Sequence, residues 1–167
     1  MTVAIREAVA ADAEVVQTIE AIADALLVTA LGAPEWPPPA DGTERIGQPG
    51  YVLLLEEDAD SSAVGFVHVV DADGTAHLEQ LSVLPEHGRR GHGRRLIDAA
   101  LDEARRRGYS RMTLRTYADI PWNAPFYGSC GFKESIPESG FHRQLVEAET
   151  ELGLDRYGRR LQMTILL

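Results

Sequence analysis

Residues 85–108 read PEHGRRGHGRRLIDAALDEARRRG, with Gly91 and Gly93 a residue apart among Arg89, Arg90, Arg94 and Arg95. The stretch runs from an apolar strand end near Leu84 into a helical pattern starting near Gly93. The first turn of a helix leaves unpaired N–H groups and a fractional positive charge, together a site for an anion such as phosphate. Glycines there remove the Cβ atoms that would hold a phosphate away, and they tolerate positive φ. Spacing excludes two related motifs. A Walker loop needs a Lys-Ser/Thr pair, and the dinucleotide fingerprint needs a third glycine where Leu96 stands. Alone, the turn also reads as an ordinary strand-to-helix connection with a charged helix behind it. A second pair, His77 and Glu79, shares one face of the strand expected over 75–84; its plain reading is a surface-facing pair.

The elements that must position these residues follow from periodicity and breakers. TVAIRE is a short first strand, and Val15, Ile19, Ile22, Leu26 and Ala30 recur at helical spacing over about 12–31, as one long helix or two short ones. Residues 32–50, GAPEWPPPADGTERIGQPG, are too rich in Gly and Pro for a helix or sheet interior, so they are expected to form a loop over a substrate site or a plain connector. Strands follow at 51–57, 62–72 and 75–84, with DADG at 71–74 as a hairpin turn. A helix over 93–107 buries Leu96, Ile97, Ala100, Leu101 and Ala104. Its last turn holds Arg105, Arg106 and Arg107, suited to the negative end of the helix dipole, and Gly108 stops it. A strand at 110–117, a short helix in WNAPFYGSCGF, a further strand, a helix striped by Phe141, Leu145, Ala148 and Leu152, and a final strand ending in ILL complete the chain. The order predicts a mixed α/β fold, one domain over 1–167, with a cofactor-binding core at about 64–135 and a C-terminal helix and strand over 141–167.

Composition bounds the function. At 167 residues the chain can bury a core without metals or disulfides. Its single cysteine, Cys130, excludes an internal disulfide and fits a reducing, cytoplasmic setting. The N-terminus lacks a signal-like apolar region, and no apolar run approaches a membrane span. A net charge of −10 argues against general nucleic-acid binding.

LSVLPEHGRRGHGRRLI, followed some 30 residues later by NAPFYGSCGF, resembles the two signatures of the Gcn5-related N-acetyltransferase (GNAT) superfamily. The close resemblance spans about residues 64–135, and the element order extends it over most of the chain. It departs at Gly88, where the family usually carries Gln or Arg; the contribution of this turn in relatives is mostly backbone N–H, which glycine still offers. The resemblance implies the acyl-CoA N-acyltransferase fold, with a mostly antiparallel sheet flanked by helices. It also implies direct acetyl transfer from acetyl-CoA to an amine, without a metal. The cofactor residues implied are Leu81, Ser82 and Val83 on a bulged strand, Gly88, Arg89, Arg90, Gly91, His92, Gly93 and Arg94 in the turn, and Asn123.

An amine resembling lysine is almost wholly protonated at neutral pH, so a base is needed. Glu79 is expected to serve, with His77 assisting or lining the pocket, at positions where arylalkylamine acetyltransferases carry two histidines. Tyr127 matches the family tyrosine that protonates the leaving thiolate. Trp36 and Tyr117 are the remaining candidates for binding the acceptor, and Cys130 reads as a buried small residue rather than a nucleophile. The expected partner is a small-molecule or peptide amine, with no nucleic acid or membrane and room for a homodimer. The rival readings are a non-catalytic acyl-CoA sensor, which needs neither Tyr127 nor Glu79, and an RNA acetyltransferase, which would carry a basic face.

Overall fold

The computed structural model describes residues 1–58 and 62–167. The chain runs β1 (Val3–Glu7), α1 (Ala13–Leu31), α2 (Gly42–Gly47), β2 (Gly50–Glu57), β3 (Ala63–Ala72), β4 (Thr75–Val83), α3 (His92–Arg106), β5 (Arg111–Tyr117), α4 (Ala124–Ser129), β6 (Lys133–Ser135), α5 (Gly140–Glu151) and β7 (Arg160–Leu166). The seven strands form one sheet in the order β1-β2-β3-β4-β5-β7-β6. Every pairing is antiparallel except β4 with β5. Among the described residues no helix is long and apolar enough to cross a membrane.

Strand alternation sends side chains to two cores. Leu53, Leu55, Val67, Leu78, Met112 and Leu114 face α3 through Leu96, Ile97 and Leu101, three side chains whose burial contributes about 1.5–3 kcal/mol each. On the other face Val52, Leu54 and Phe66 pack under Val16 and Ile19 of α1. The buried line of α1 is therefore Val16, Ile19 and Glu20; Ile22 and Leu26 of the expected stripe are exposed. The DADG hairpin forms as expected, with Asp73 and Gly74 both at positive φ.

One further element departs from the sequence reading. The Gly/Pro-rich stretch is not wholly irregular: Asp41 caps α2 by accepting from the Thr43 and Glu44 N–H groups. Arg45 then anchors this helix, forking onto Glu20 at 2.8 and 3.1 Å and reaching His68 Nδ1 at 2.9 Å. The strand expected between α4 and α5 forms as β6, only three residues long and held by pairing with β7.

The feature that shapes the site lies in β4. Gln80 pairs with His68 and Leu78 with Val69, leaving Glu79 as the extra residue of a bulge. On its other side β4 pairs with β5 only over Ala76–Leu78. Beyond the bulge, Leu81, Ser82 and Val83 keep β3 as a neighbour but have separated from β5. The sheet therefore splits open where the family resemblance implied.

Candidate active site

The split opens into a cleft of about 1210 Å³ that runs across the molecule. At one end it is walled by Leu81, Ser82, Val83, the 87–94 turn, Asn123, Phe126 and Tyr127. At the other it meets α1, the Pro-rich segment and α5. Of the expected site residues, His77, Glu79, Leu81, Ser82, Val83, Gly88, Arg89, Gly91, His92, Gly93, Arg94, Asn123, Tyr127 and Trp36 all border it.

At the turn, Gly91 sits at φ +79°, just before α3, a conformation that glycine adopts without strain. A Cβ there would meet no protein atom within 4 Å, so the space before the helix is open for an anion. Gly93 has a different reason: its Cβ would come within 3.3 Å of the Phe126 ring, so glycine lets α3 and α4 pack closely. The arginines divide. The Arg90 side chain is drawn off the cleft onto both Glu57 carboxylate oxygens at 2.9 Å, and Arg90 does not border the cleft. Arg94 borders the cleft and bonds Ser129 Oγ at 2.8 Å. Arg89 borders it at φ +60°, and among the described residues it makes no ion pair.

Glu57 was not foreseen. Besides Arg90 it binds His87 Nδ1 at 2.9 Å and His92 Nε2 at 2.5 Å, so the last residue of β2 holds the turn at three points. These hydrogen bonds, His92 first, hold its carboxyl down to about 2. The buried His92 ring serves this anchor. No local motif announces Glu57, because its partners lie 30 to 35 residues away in sequence.

Tyr127 is buried at the split, 8% exposed, and burial raises its phenol so that it keeps its proton. Among the described residues its hydroxyl makes no hydrogen bond, and so remains free for a substrate atom. Asn123, the residue before α4, turns its Oδ1 to the Tyr117 N–H at 3.3 Å and so fixes the entry to that helix. Tyr117 itself does not reach the cleft. It is 1% exposed, bonds the Leu154 carbonyl at 2.8 Å and stacks under Arg160 and Trp36. It supports the wall and does not line it.

Glu79 borders the same cleft. The bulge turns its side chain into the cleft with 38% still exposed, while the surrounding protein raises its carboxyl above the ordinary range. His77 Nε2 lies 3.9 Å from Glu79 Oε2. Burial lowers the His77 ring to about 3, helped by His142 and Arg115, so it is neutral. Asp24, one helical turn after Glu20, is a second unforeseen carboxyl here; burial and the Glu20 charge push it up to about 6. Glu20 is neutralised by Arg45, and Glu149 by Arg115 and Arg160, which leaves Asp24 and Glu79, among the described residues, as the cleft carboxylates with no arginine ion pair of their own. Trp36, Pro37 and Pro38 close this end, so the Pro-rich segment does border the site. Cys130 is partly buried at the end of α4, and burial raises its thiol, as suits a packing residue.

Residues 19–132 match the Acetyltransferase (GNAT) family. The chain belongs to this family. The GNAT fold extends over the whole chain. It superimposes on the ribosomal-protein-S18-alanine N-acetyltransferase of Escherichia coli with a TM-score of 0.71 at 20% identity, covering 99% of this chain and 94% of that one. PaiA N-acetyltransferase of Thermoplasma acidophilum, solved with coenzyme A, gives 0.70 at 17% identity over 100% of both chains. Rv2747 of Mycobacterium tuberculosis, solved with CoA and NLQ, gives 0.67 at 17% identity, covering 98% and 99%. In this GNAT chain the glycine turn and the split strand share one cleft: open space before α3 at Gly91, Arg89 with no ion pair among the described residues, and the Leu81–Val83 flank parted from β5.

Proposed function

We propose that the protein transfers an acetyl group from acetyl-CoA directly to a primary amine of a small molecule or peptide. The observation that carries this reading is the split between β4 and β5, which puts Tyr127 and Glu79 on one continuous cleft. Backbone N–H groups at the start of α3, with Arg89, would hold the phosphates. The free flank of Leu81–Val83 would hold the pantetheine arm, and an N–H there aimed at the thioester oxygen would contribute about 2.7–4 kcal/mol as charge develops.

The amine enters from the α1 and α5 end. With a pKa near that of lysine, about 10.4, only on the order of one molecule in 10³ is neutral at pH 7. Glu79 takes the ammonium proton, freeing the nitrogen lone pair that then attacks the thioester carbonyl; its raised carboxyl makes it a better base than an ordinary glutamate. Tyr127 then gives its proton to the departing sulfur. Asp24 and Glu79 favour an acceptor that is cationic, and Leu26, Leu152 and Trp122 at the rim favour one with apolar surface. The single free thiol suits a reducing compartment, and we place the reaction in the cytoplasm.

Acetyl-CoA at about 100 times its Kd should add ~2.7 kcal/mol, and for a domain of this size each kcal/mol moves Tm by roughly 2–4 °C. A rise of several degrees is expected, with thiol release when an amine panel is added. No Tm shift at saturation would contradict the reading at its root; a shift without thiol release from any amine would favour an acyl-CoA sensor.

A further inference from the structure

Behind Glu79 a line of buried groups leads out of the cleft. His77, 3% exposed, places Nδ1 2.8 Å from Thr113 Oγ1. Thr113, 1% exposed, places the same oxygen 2.9 Å from His142 Nε2. His142, 3% exposed, meets Ser139 Oγ through Nδ1 at 2.5 Å, and Ser139 is exposed at the start of α5, outside the cleft. Phe141 packs edge-on against both imidazoles and shields them.

We propose that His77, Thr113, His142 and Ser139 form a proton path that carries the acceptor amine's proton from Glu79 to solvent beside α5. The inference rests on the reading of Glu79 as the base. Satisfying buried polar atoms explains that such groups have partners. It does not require that each member both accept and donate, or that the line begin at the base and end in water.

A filled cleft gives the path its use. Once acetyl-CoA and amine are bound, they occupy the space through which water reaches Glu79. The 3.9 Å between Glu79 and His77 then needs to close by about 1 Å to reach hydrogen-bond range. The amine N–H bond breaks as the Glu79 O–H bond forms. That proton passes to His77 Nε2 while His77 Nδ1–H goes to Thr113 Oγ1. Thr113 gives its own hydroxyl proton to His142 Nε2, His142 Nδ1–H goes to Ser139 Oγ, and the Ser139 proton leaves to water. One proton enters and one leaves. After products depart, the same steps run backward into the reopened cleft and reset both rings. Glu79, Arg115, Glu149 and His142 bear on His77, and Arg111 and Arg115 on His142; burial and the arginines lower both rings, so each stays neutral between transfers.

Thr113→Val removes the central hydroxyl. Its kcat at pH 7 should fall about tenfold, below the usual 10²–10⁴-fold of a lost acid or base because water retains some access to Glu79. Both KM values should hold, the loss should shrink as pH approaches the amine's pKa, and Thr113→Ser should restore most of it. Parent turnover in Thr113→Val at every pH, or Thr113→Ser as slow as Thr113→Val, would overturn the path. Should Thr113→Val fail to fold, His142→Ala serves: added imidazole should recover its rate, and no recovery counts against the path. Nitrogen-15 spectra of the histidines judge it without turnover. Both rings should be neutral with the proton on Nδ1, and an Nε2–H His77 would contradict the direction of transfer. If Glu79→Gln is silent while Thr113→Val is slow, the base reading fails and the path starts at His77.

Discussion

The two ends of the cleft are built by opposite means. The end suited to acetyl-CoA is mostly backbone: a glycine at positive φ, the first turn of α3, and a strand flank released by a bulge. These parts lie close in sequence, between Leu81 and Arg94, with α4 alongside. The acceptor end is mostly side chain. It is assembled from α1, the Pro-rich segment, β4, β5 and α5, and its charges are balanced pair by pair until Asp24 and Glu79 remain. A backbone site binds whatever presents the right phosphates and amide groups. A side-chain site can be retuned one residue at a time without disturbing the other end, and that is how one fold can keep its donor and change its acceptor.

The sharpest way to break this comparison is to fill the backbone end. Gly91→Val puts a β-branched side chain at φ +79° and into the space before α3, and should abolish acetyl-CoA binding in a titration. Arg89→Ala should cost far less, about 0–1 kcal/mol for an exposed charge contact. If the arginine change is the more damaging, that end is electrostatic and the contrast fails.

A smaller effect is expected at Glu57, which holds the turn without bordering the cleft. Glu57→Gln keeps the shape but loosens Arg90, His87 and His92, and should weaken acetyl-CoA several-fold with acceptor KM unchanged. Because the folded carboxyl is depressed to about 2, its stabilisation is fully present above the ordinary glutamate value. It is lost as pH falls from there through about 2. Acid unfolding of the parent should therefore include a component in that window that Glu57→Gln lacks; identical acid profiles would show that the carboxylate does not brace the turn.

What was legible in the sequence follows the same division. The helix over Leu96–Ala104, the hairpin at Asp73–Gly74 and the glycine turn all declare themselves locally, because a period or a breaker decides each. His77 and Glu79 were placed on one strand, and the bulge came from family resemblance, since no local pattern encodes an extra residue in a ladder. The acceptor end was mostly hidden. Of the two aromatics expected to bind the acceptor, Trp36 borders the cleft while Tyr117 is a buried support beneath it. Asp24 lies one turn after Glu20, a spacing that could have flagged a shared acidic face. Arg90 and His92 sit in the right motif yet turn away to Glu57, a partner that only the fold brings near. α2 depends on the Arg45–Glu20 pair, a contact that no local window contains.

The central claim is that Glu79 and Tyr127 act on one reaction within one cleft, as base and acid. The most direct test is the pH dependence of kcat in Glu79→Gln beside Tyr127→Phe, with the best amine from the panel. Glu79→Gln should be slow at neutral pH and recover as pH rises toward the amine's pKa, where the nucleophile loses its proton unaided. Tyr127→Phe keeps the ring and its packing, and should lose at least about 10²-fold without recovering, since raising the pH supplies no proton. Parallel profiles, or parent rates in either variant, would contradict the account.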